Sequence, residues 1–268
     1  MIIPQVGAVP DPCSFVDPMP EPVAAYFAAL GAARGGGTAP PTPTAEQLAL
    51  YRDWQERVRQ QDFAQLCKYA AANAALPPPS DRRVVYFGDS ITELWSLYDP
   101  GFFDGEVLNR GISGQTTLQM LGRFRADVIA LRPRVLHLLA GTNDVCGNTG
   151  PSSADWIIGN IATMVELAKL HGIRVVLGAE LPCARFAFQP HLAPAPILAE
   201  LNARLKALAQ DERLVLVDYH QSLVGAEGAL DPRYSDDGLH PNAAGYAVMA
   251  PLARAAVARA LGEVARPA

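Results

Sequence analysis

The sequence predicts an α/β fold, a parallel sheet with helices wound over both faces. Two observations predict it. From about residue 81 onward, short β-branched apolar runs alternate with stretches of helical spacing, the pattern of βαβ units joined by right-handed crossovers. Polar clusters also follow the apolar runs directly, at the carboxyl edge where open α/β sheets bind ligands.

Residues 1–44 are rich in Pro, Gly and Ala. Residues 21–30 (EPVAAYFAAL) read as a short helix and 31–44 (GAARGGGTAPPTPT) as a linker or wrapping arm. Residues 45–60 are expected to be helical, with an apolar stripe of Leu48, Leu50, Tyr51, Trp54 and Val58. A second helix is expected over 62–76, stopped by Pro77-Pro78-Pro79, because proline cannot continue a helix. The strand candidates are Arg83–Phe87, Glu106–Asn109, Val135–Leu139, Arg174–Gly178 and Leu214–Val217. Helices are expected at Ile91–Tyr98, Thr117–Leu131, Ser153–His171, Pro196–Gln210 and Asn242–Leu261. The chain is therefore read as an N-terminal extension, residues 1–80, and an α/β domain, residues 81–268.

Half of the 268 residues are hydrophobic and 18% are charged, enough apolar surface for a sizeable core and too much for global disorder. The formal charge is −5 and the acids are scattered. That argues against nucleic acid or an anionic membrane as partner, since both need basic patches. No run reaches the roughly 18 apolar residues that span a bilayer. The opening MIIPQVGAVPDPCSF lacks early Lys or Arg and carries prolines where a leader is apolar. No signal peptide is read, and a cytoplasmic location is the default expectation. Cys13, Cys67, Cys146 and Cys183 form no C-x-x-C pair and no zinc-like spacing with His, so neither metal nor other cofactor is expected. Cys146 and Cys183 each follow a strand and would meet at one sheet edge; they read as free, partly buried thiols. A disulfide would point to an oxidising compartment.

Four polar clusters carry the chemistry: Gly88-Asp89-Ser90, Asn109-Arg110-Gly111-Ile112-Ser113-Gly114, Gly141-Thr142-Asn143-Asp144 and Asp237-Gly238-Leu239-His240. The first three follow strands, and a C-terminal loop can bring the fourth over them. A serine hydroxyl attacks only when a base takes its proton, and that base is usually a histidine held in one tautomer by a carboxylate. Asp237 stands three residues before His240, so a tight loop lets its carboxylate accept from Nδ1 and leaves Nε2 facing Ser90. Gly-x-Ser-x-Gly is absent around Ser90, which excludes the nucleophile elbow of the α/β-hydrolases. Acyl transfer also needs donors aimed at the developing oxyanion. The Ser90 N–H, the Gly114 N–H and the Asn143 side-chain amide are the candidates.

GDSIT, NRGISGQTT, GTND and SDDGLHPNAAGY, in that order, resemble the four sequence blocks of the SGNH (GDSL-type) hydrolases, over about residues 81–262. The resemblance implies a three-layer α/β/α sandwich, flavodoxin-like, with a five-stranded parallel sheet. It implies Ser90 as nucleophile, His240 as base and Asp237 as its orienter, with Ser90, Gly114 and Asn143 as the oxyanion hole. Residues before Arg83 lie outside the family's core and are read as a packing arm or an element of a homo-oligomer. The blocks look like those of bacterial members acting on short acyl esters, which makes a small-molecule or oligosaccharide ester the expected substrate. The candidate pocket residues are Arg110, Trp95, and Arg185, Phe186, Phe188 and His191 of the loop 181–196 (LPCARFAFQPHLAPAP). For Arg110, pairing with Asp89 or Asp144 is the favoured alternative.

Overall fold

The structure, a computed structural model, describes residues 11–35, 38, 41–186, 189 and 191–262. The chain divides into two compact units, Met1–Leu76 and Pro77–Ala268.

The first unit is helical. Helix α1 (Glu21–Gly35) runs past the point where a linker was expected; the alanines of GAARG carry it, since they offset the helix cost of glycine. Helix α2 (Ala45–Gln61) starts at a reciprocal cap. Thr44 Oγ1 accepts from the Gln47 N–H at 3.1 Å, and the Gln47 side chain accepts from the Thr44 N–H at 2.9 Å. Of the expected stripe, Val58 is buried but Leu48 is 40% exposed. Helix α3 (Cys67–Ala74) begins five residues later than expected. The reason is Asp62, whose carboxylate accepts from the Leu66 and Cys67 N–H groups at 2.9 and 2.8 Å and so caps the helix from outside it. A disulfide joins Cys13 to Cys67, with Cα atoms 5.4 Å apart, a pairing that no spacing of the four cysteines suggests. Cys146 and Cys183 do meet, as free thiols buried in one apolar cluster.

The second unit holds a five-stranded parallel sheet: β1 (Val84–Gly88), β2 (Val107–Gly111), β3 (Val135–Leu139), β4 (Arg174–Gly178) and β5 (Val215–Val217), in spatial order β2-β1-β3-β4-β5. Every residue of β1 and β3 is buried, as a sheet covered on both faces requires. The helices that cover it are α4 (Ser90–Tyr98), α5 (Thr117–Phe124), α6 (Thr142–Val145), α7 (Ala154–Leu170), α8 (Pro194–Asp211), α9 (Tyr219–Leu223) and α10 (Ala243–Leu261). Helices α4 and α10 pack on one face, with α9 against α10; α7 and α8 pack on the other, with α5 against α7. After α5 the chain continues as a π-helical turn, Arg125–Ile129, within the single helix expected there. Strand order reverses between β1 and β3, the crevice where such sheets bind ligands.

Under α4 and α10 lies an aromatic core. Tyr86 of β1 stacks on His137 of β3 at 4.4 Å and meets Trp95, Phe102 and Phe103 edge-on. Trp95 is 1% exposed and also stacks on Phe102 at 4.7 Å. Truncating such a residue costs about 3–5 kcal/mol. Trp95 therefore belongs to the core, because it lies on the face of α4 that the sheet covers.

Candidate active site

Strand β1 ends where only glycine fits. A Cβ on Gly88 would stand 2.1 Å from Thr92 Oγ1 and 2.8 Å from the Leu139 carbonyl oxygen. Asp89 then caps α4, its Oδ1 accepting from the Ile91 N–H at 2.9 Å. Ser90 is thereby the first residue of the helix, at the carboxyl edge of the sheet. Arg123, fully buried, ties down the backbone beneath it by donating to the carbonyls of Gly88 (3.0 Å) and Arg110 (2.9 Å).

Helix α10 is docked on the same place. The Tyr246 hydroxyl donates to the Ile91 carbonyl at 2.7 Å, and Asn242 caps α10 through the Ala244 and Gly245 N–H groups. The preceding loop is wound around Asp237. Its Oδ1 accepts from the N–H groups of Leu239 (2.9 Å) and His240 (2.7 Å), while Ser235 Oγ donates to the His240 carbonyl at 2.7 Å. The turn leaves Asp237 Oδ2 2.7 Å from His240 Nδ1, and His240 Nε2 2.9 Å from Ser90 Oγ. An ionised carboxylate can only accept, so Nδ1 carries the proton and Nε2 is free to accept from the serine hydroxyl. Burial alone would raise the Asp237 pKa. The His240 ring and the two backbone donors outweigh it and hold the carboxyl well below its usual range.

The loops after β2 and β3 complete the edge. Gly114 has φ +79°, the left-handed region that favours glycine. Asn143 lies in α6, its Nδ2 donating to Asp89 Oδ2 at 2.9 Å. Asn148 Nδ2 donates both to the Gly114 carbonyl at 3.0 Å and to Asn143 Oδ1 at 2.8 Å. Asp144 accepts from the Thr117 N–H and hydroxyl at 2.8 and 2.6 Å. Glu180, after β4, is fully buried; its Oε2 accepts from the Thr142 hydroxyl and N–H, and its Oε1 has no partner. Burial raises the pKa of Asp89, Asp144 and Glu180, and the charge of Asp89 adds to the rise at Glu180.

The structure thus brings Ser90, Asp237 and His240 into one hydrogen-bonded line and links Gly114 with Asn143. The expected substrate residues fare differently. Arg110 is buried and donates to the Asn109 carbonyl at 2.7 Å. Of the partners expected for it, Asp89 accepts from Ile91 and Asn143, and Asp144 from Thr117. Phe186 is 1% exposed, packed with Cys146, Cys183 and Leu198, so its side chain belongs to a core cluster. The partly buried Val145, Leu192 and Leu239 rest on that cluster. Arg185 and His191 are exposed, and Phe188 lies outside the described residues. Asn148 and Glu180 escaped the sequence reading. Glu180 did carry a signal, an acid directly after the apolar run of β4. Asn148 carried none beyond its place in the loop after GTND. Among the described residues no group of three or more His, Cys, Asp or Glu is arranged to hold a metal ion, and no helix is long and apolar enough to cross a membrane.

Known proteins carry the same arrangement of sequence. Residues 86–248 match the GDSL-like lipase/acylhydrolase family. The chain belongs to that family. A GDSL-like lipase from Bacteroides thetaiotaomicron, solved by crystallography, is 44% identical, with a TM-score of 0.73 over 74% of this chain and 100% of that one. A Bacteroides fragilis structure is 47% identical at the same TM-score, over 75% of this chain and 99% of its own. Esterase TesA of Pseudomonas aeruginosa is 28% identical over 146 residues, 54% of this chain and 65% of its own. The chain therefore spans just under two thirds of that esterase. The acetylxylan esterase Axe2 of Geobacillus stearothermophilus shares the fold, at 20% identity and a TM-score of 0.54 over 69% of this chain and 96% of that one.

Proposed function

We propose that this chain is a serine esterase that hydrolyses short-chain carboxylic esters through an acyl-serine intermediate, acetyl esters of carbohydrates being the first class to test. One observation carries the reading: Ser90 Oγ, His240 Nε2, His240 Nδ1 and Asp237 Oδ2 follow one another at 2.9 and 2.7 Å across the two contacts. His240 Nε2 takes the hydroxyl proton as Ser90 Oγ bonds to the ester carbonyl carbon. Asp237 stabilises the imidazolium that forms. The N–H groups of Ser90 and Gly114 and the Asn143 amide receive the oxyanion. His240 returns the proton to the departing alcohol, then takes one from the water that cleaves the acyl-serine. The acetyl preference is what a comparison of acyl chains tests. The Axe2 likeness, one of fold, is compatible with it.

The test compares p-nitrophenyl acetate with p-nitrophenyl dodecanoate, on wild type and Ser90→Ala. Acetate turnover is expected to lead, and Ser90→Ala to lower kcat by about four orders of magnitude or more while circular dichroism stays native. Wild-type-like turnover in Ser90→Ala would sink the nucleophile assignment. A lead for dodecanoate would move the reading to a lysophospholipase or thioesterase on the same residues.

A further inference from the structure

The donors assigned to the oxyanion come from loops after two different strands, Gly114 after β2 and Asn143 after β3. Such a hole works only if its parts are fixed before charge develops. Asn148 spans the two loops. The two hydrogens of its amide serve two acceptors, the Gly114 carbonyl at 3.0 Å and Asn143 Oδ1 at 2.8 Å. Its backbone N–H also donates to the Asn143 carbonyl at 3.1 Å. The next residue repeats the tie, with Thr149 Oγ1 3.1 Å from Thr116 Oγ1.

The consequence for Asn143 is directional. Its amide has one accepting end and one donating end. With Oδ1 held by Asn148, Nδ2 must face the Asp89 side, where it donates at 2.9 Å. A flipped amide would aim an oxygen lone pair at a developing negative charge.

We propose that Asn148 is the positioning residue of the oxyanion hole: it sets the orientation of the Asn143 amide and the separation of the Asn143 and Gly114 loops. The inference rests on the serine-esterase reading above. Asn148 makes no contact with the reacting atoms, so its effect passes through its neighbours. Alanine removes both ties. Aspartate is worse, because it can only accept and would face two acceptors.

The experiment is a double-mutant cycle on p-nitrophenyl acetate with Asn148→Ala, Asn143→Ala, the double variant, Asn148→Asp and Ser90→Ala, each with a thermal melt. Asn148→Ala is expected to lower kcat by about tenfold to a hundredfold with KM held within about threefold. Asn148→Asp should lose more. In the Asn143→Ala background, Asn148→Ala should cost at least about fivefold less than it does alone. Equal cost in both backgrounds overturns the inference, as does a rise in KM with kcat kept. If Asn148→Ala melts early, Asn148→Ser, which keeps one donor, runs the same cycle. A Ser90→Ala variant that still turns over would bring down the esterase reading and this inference together. A dead Ser90→Ala beside an additive cycle would bring down this inference alone.

Discussion

Asp237 and Asp89 are the same side chain one step from the Ser90–His240 contact, and the protein treats them in opposite ways. The Asp237 side chain is 55% exposed, takes N–H bonds from Leu239 and His240 on one oxygen and faces the imidazole with the other. Asp89 is 1% exposed and accepts one bond on each oxygen, from Ile91 and Asn143. The first is held well below the usual carboxylate range; burial pushes the second up. The number of donors per oxygen, set against loss of water, decides the sign. A strongly ionised carboxylate suits the support of an imidazolium. Environments that push like groups apart divide acid–base labour in many active sites.

The comparison can be broken most severely at Asp237. Asp237→Asn keeps the shape but offers Nδ1 an amide in place of a charge, and the imidazole can settle in the wrong tautomer. A fall in kcat of about 10⁴ is expected, measured on p-nitrophenyl acetate. A loss under about tenfold would mean that the charge is not what supports His240. Next in size is Asn143→Ala. It removes a donor from the oxyanion and also strips Asp89 Oδ2 of its partner. It should lower kcat by about 10²–10³ with KM little changed, and cost about 1–3 kcal/mol of stability through the unsatisfied carboxyl oxygen. A kcat within about threefold of wild type would remove Asn143 from the hole.

What was legible in the sequence follows from the range of the interactions. β3 and β4 stand at the expected residues because short, mostly apolar runs between helices have one way to fold in a covered sheet. The Asp237–His240 contact is legible because a three-residue spacing is local geometry, whereas Ser90, 150 residues from His240, is placed by the order of the four blocks. Trp95, a pocket candidate although a helix residue is more often core, and Phe186 both lie in cores, because a large aromatic near a catalytic block can face either way. Trp95 packs on Tyr86 and Phe102 and Phe186 on the Cys146–Cys183 cluster, partners that neither periodicity nor the four blocks specify. The Cys13–Cys67 bond closes a separation of 54 residues, and four cysteines leave such a pairing open. The four-residue α6 was missed because its hydrogen bonds sit inside a motif read for its chemistry.

The smallest effect sharpens the buried side of the comparison. Glu180 has an oxygen without a partner and is pushed up to about 8, from an ordinary 4.5, by burial and then by the charge of Asp89. Between those two pH values the folded chain keeps a proton that the unfolded chain has released. The stability this group contributes is therefore complete below pH 4.5 and is lost as pH rises to about 8. Asp237 works in the other sense, stabilising above 3.8 and losing its contribution as pH falls. Glu180→Gln keeps an acceptor for Thr142 and cannot titrate. The amide leaves its own buried donors unmatched, a fixed cost that cancels when one variant is compared with itself at two pH values. Urea unfolding at pH 5 and pH 8 should therefore show wild type losing on the order of 2 kcal/mol relative to Glu180→Gln across the interval. A gap that does not change with pH would mean that Glu180 is ionised in the folded chain. The buried side of the comparison would then lose its protonated member, and the contrast between the two aspartates would have to rest on their hydrogen bonds alone.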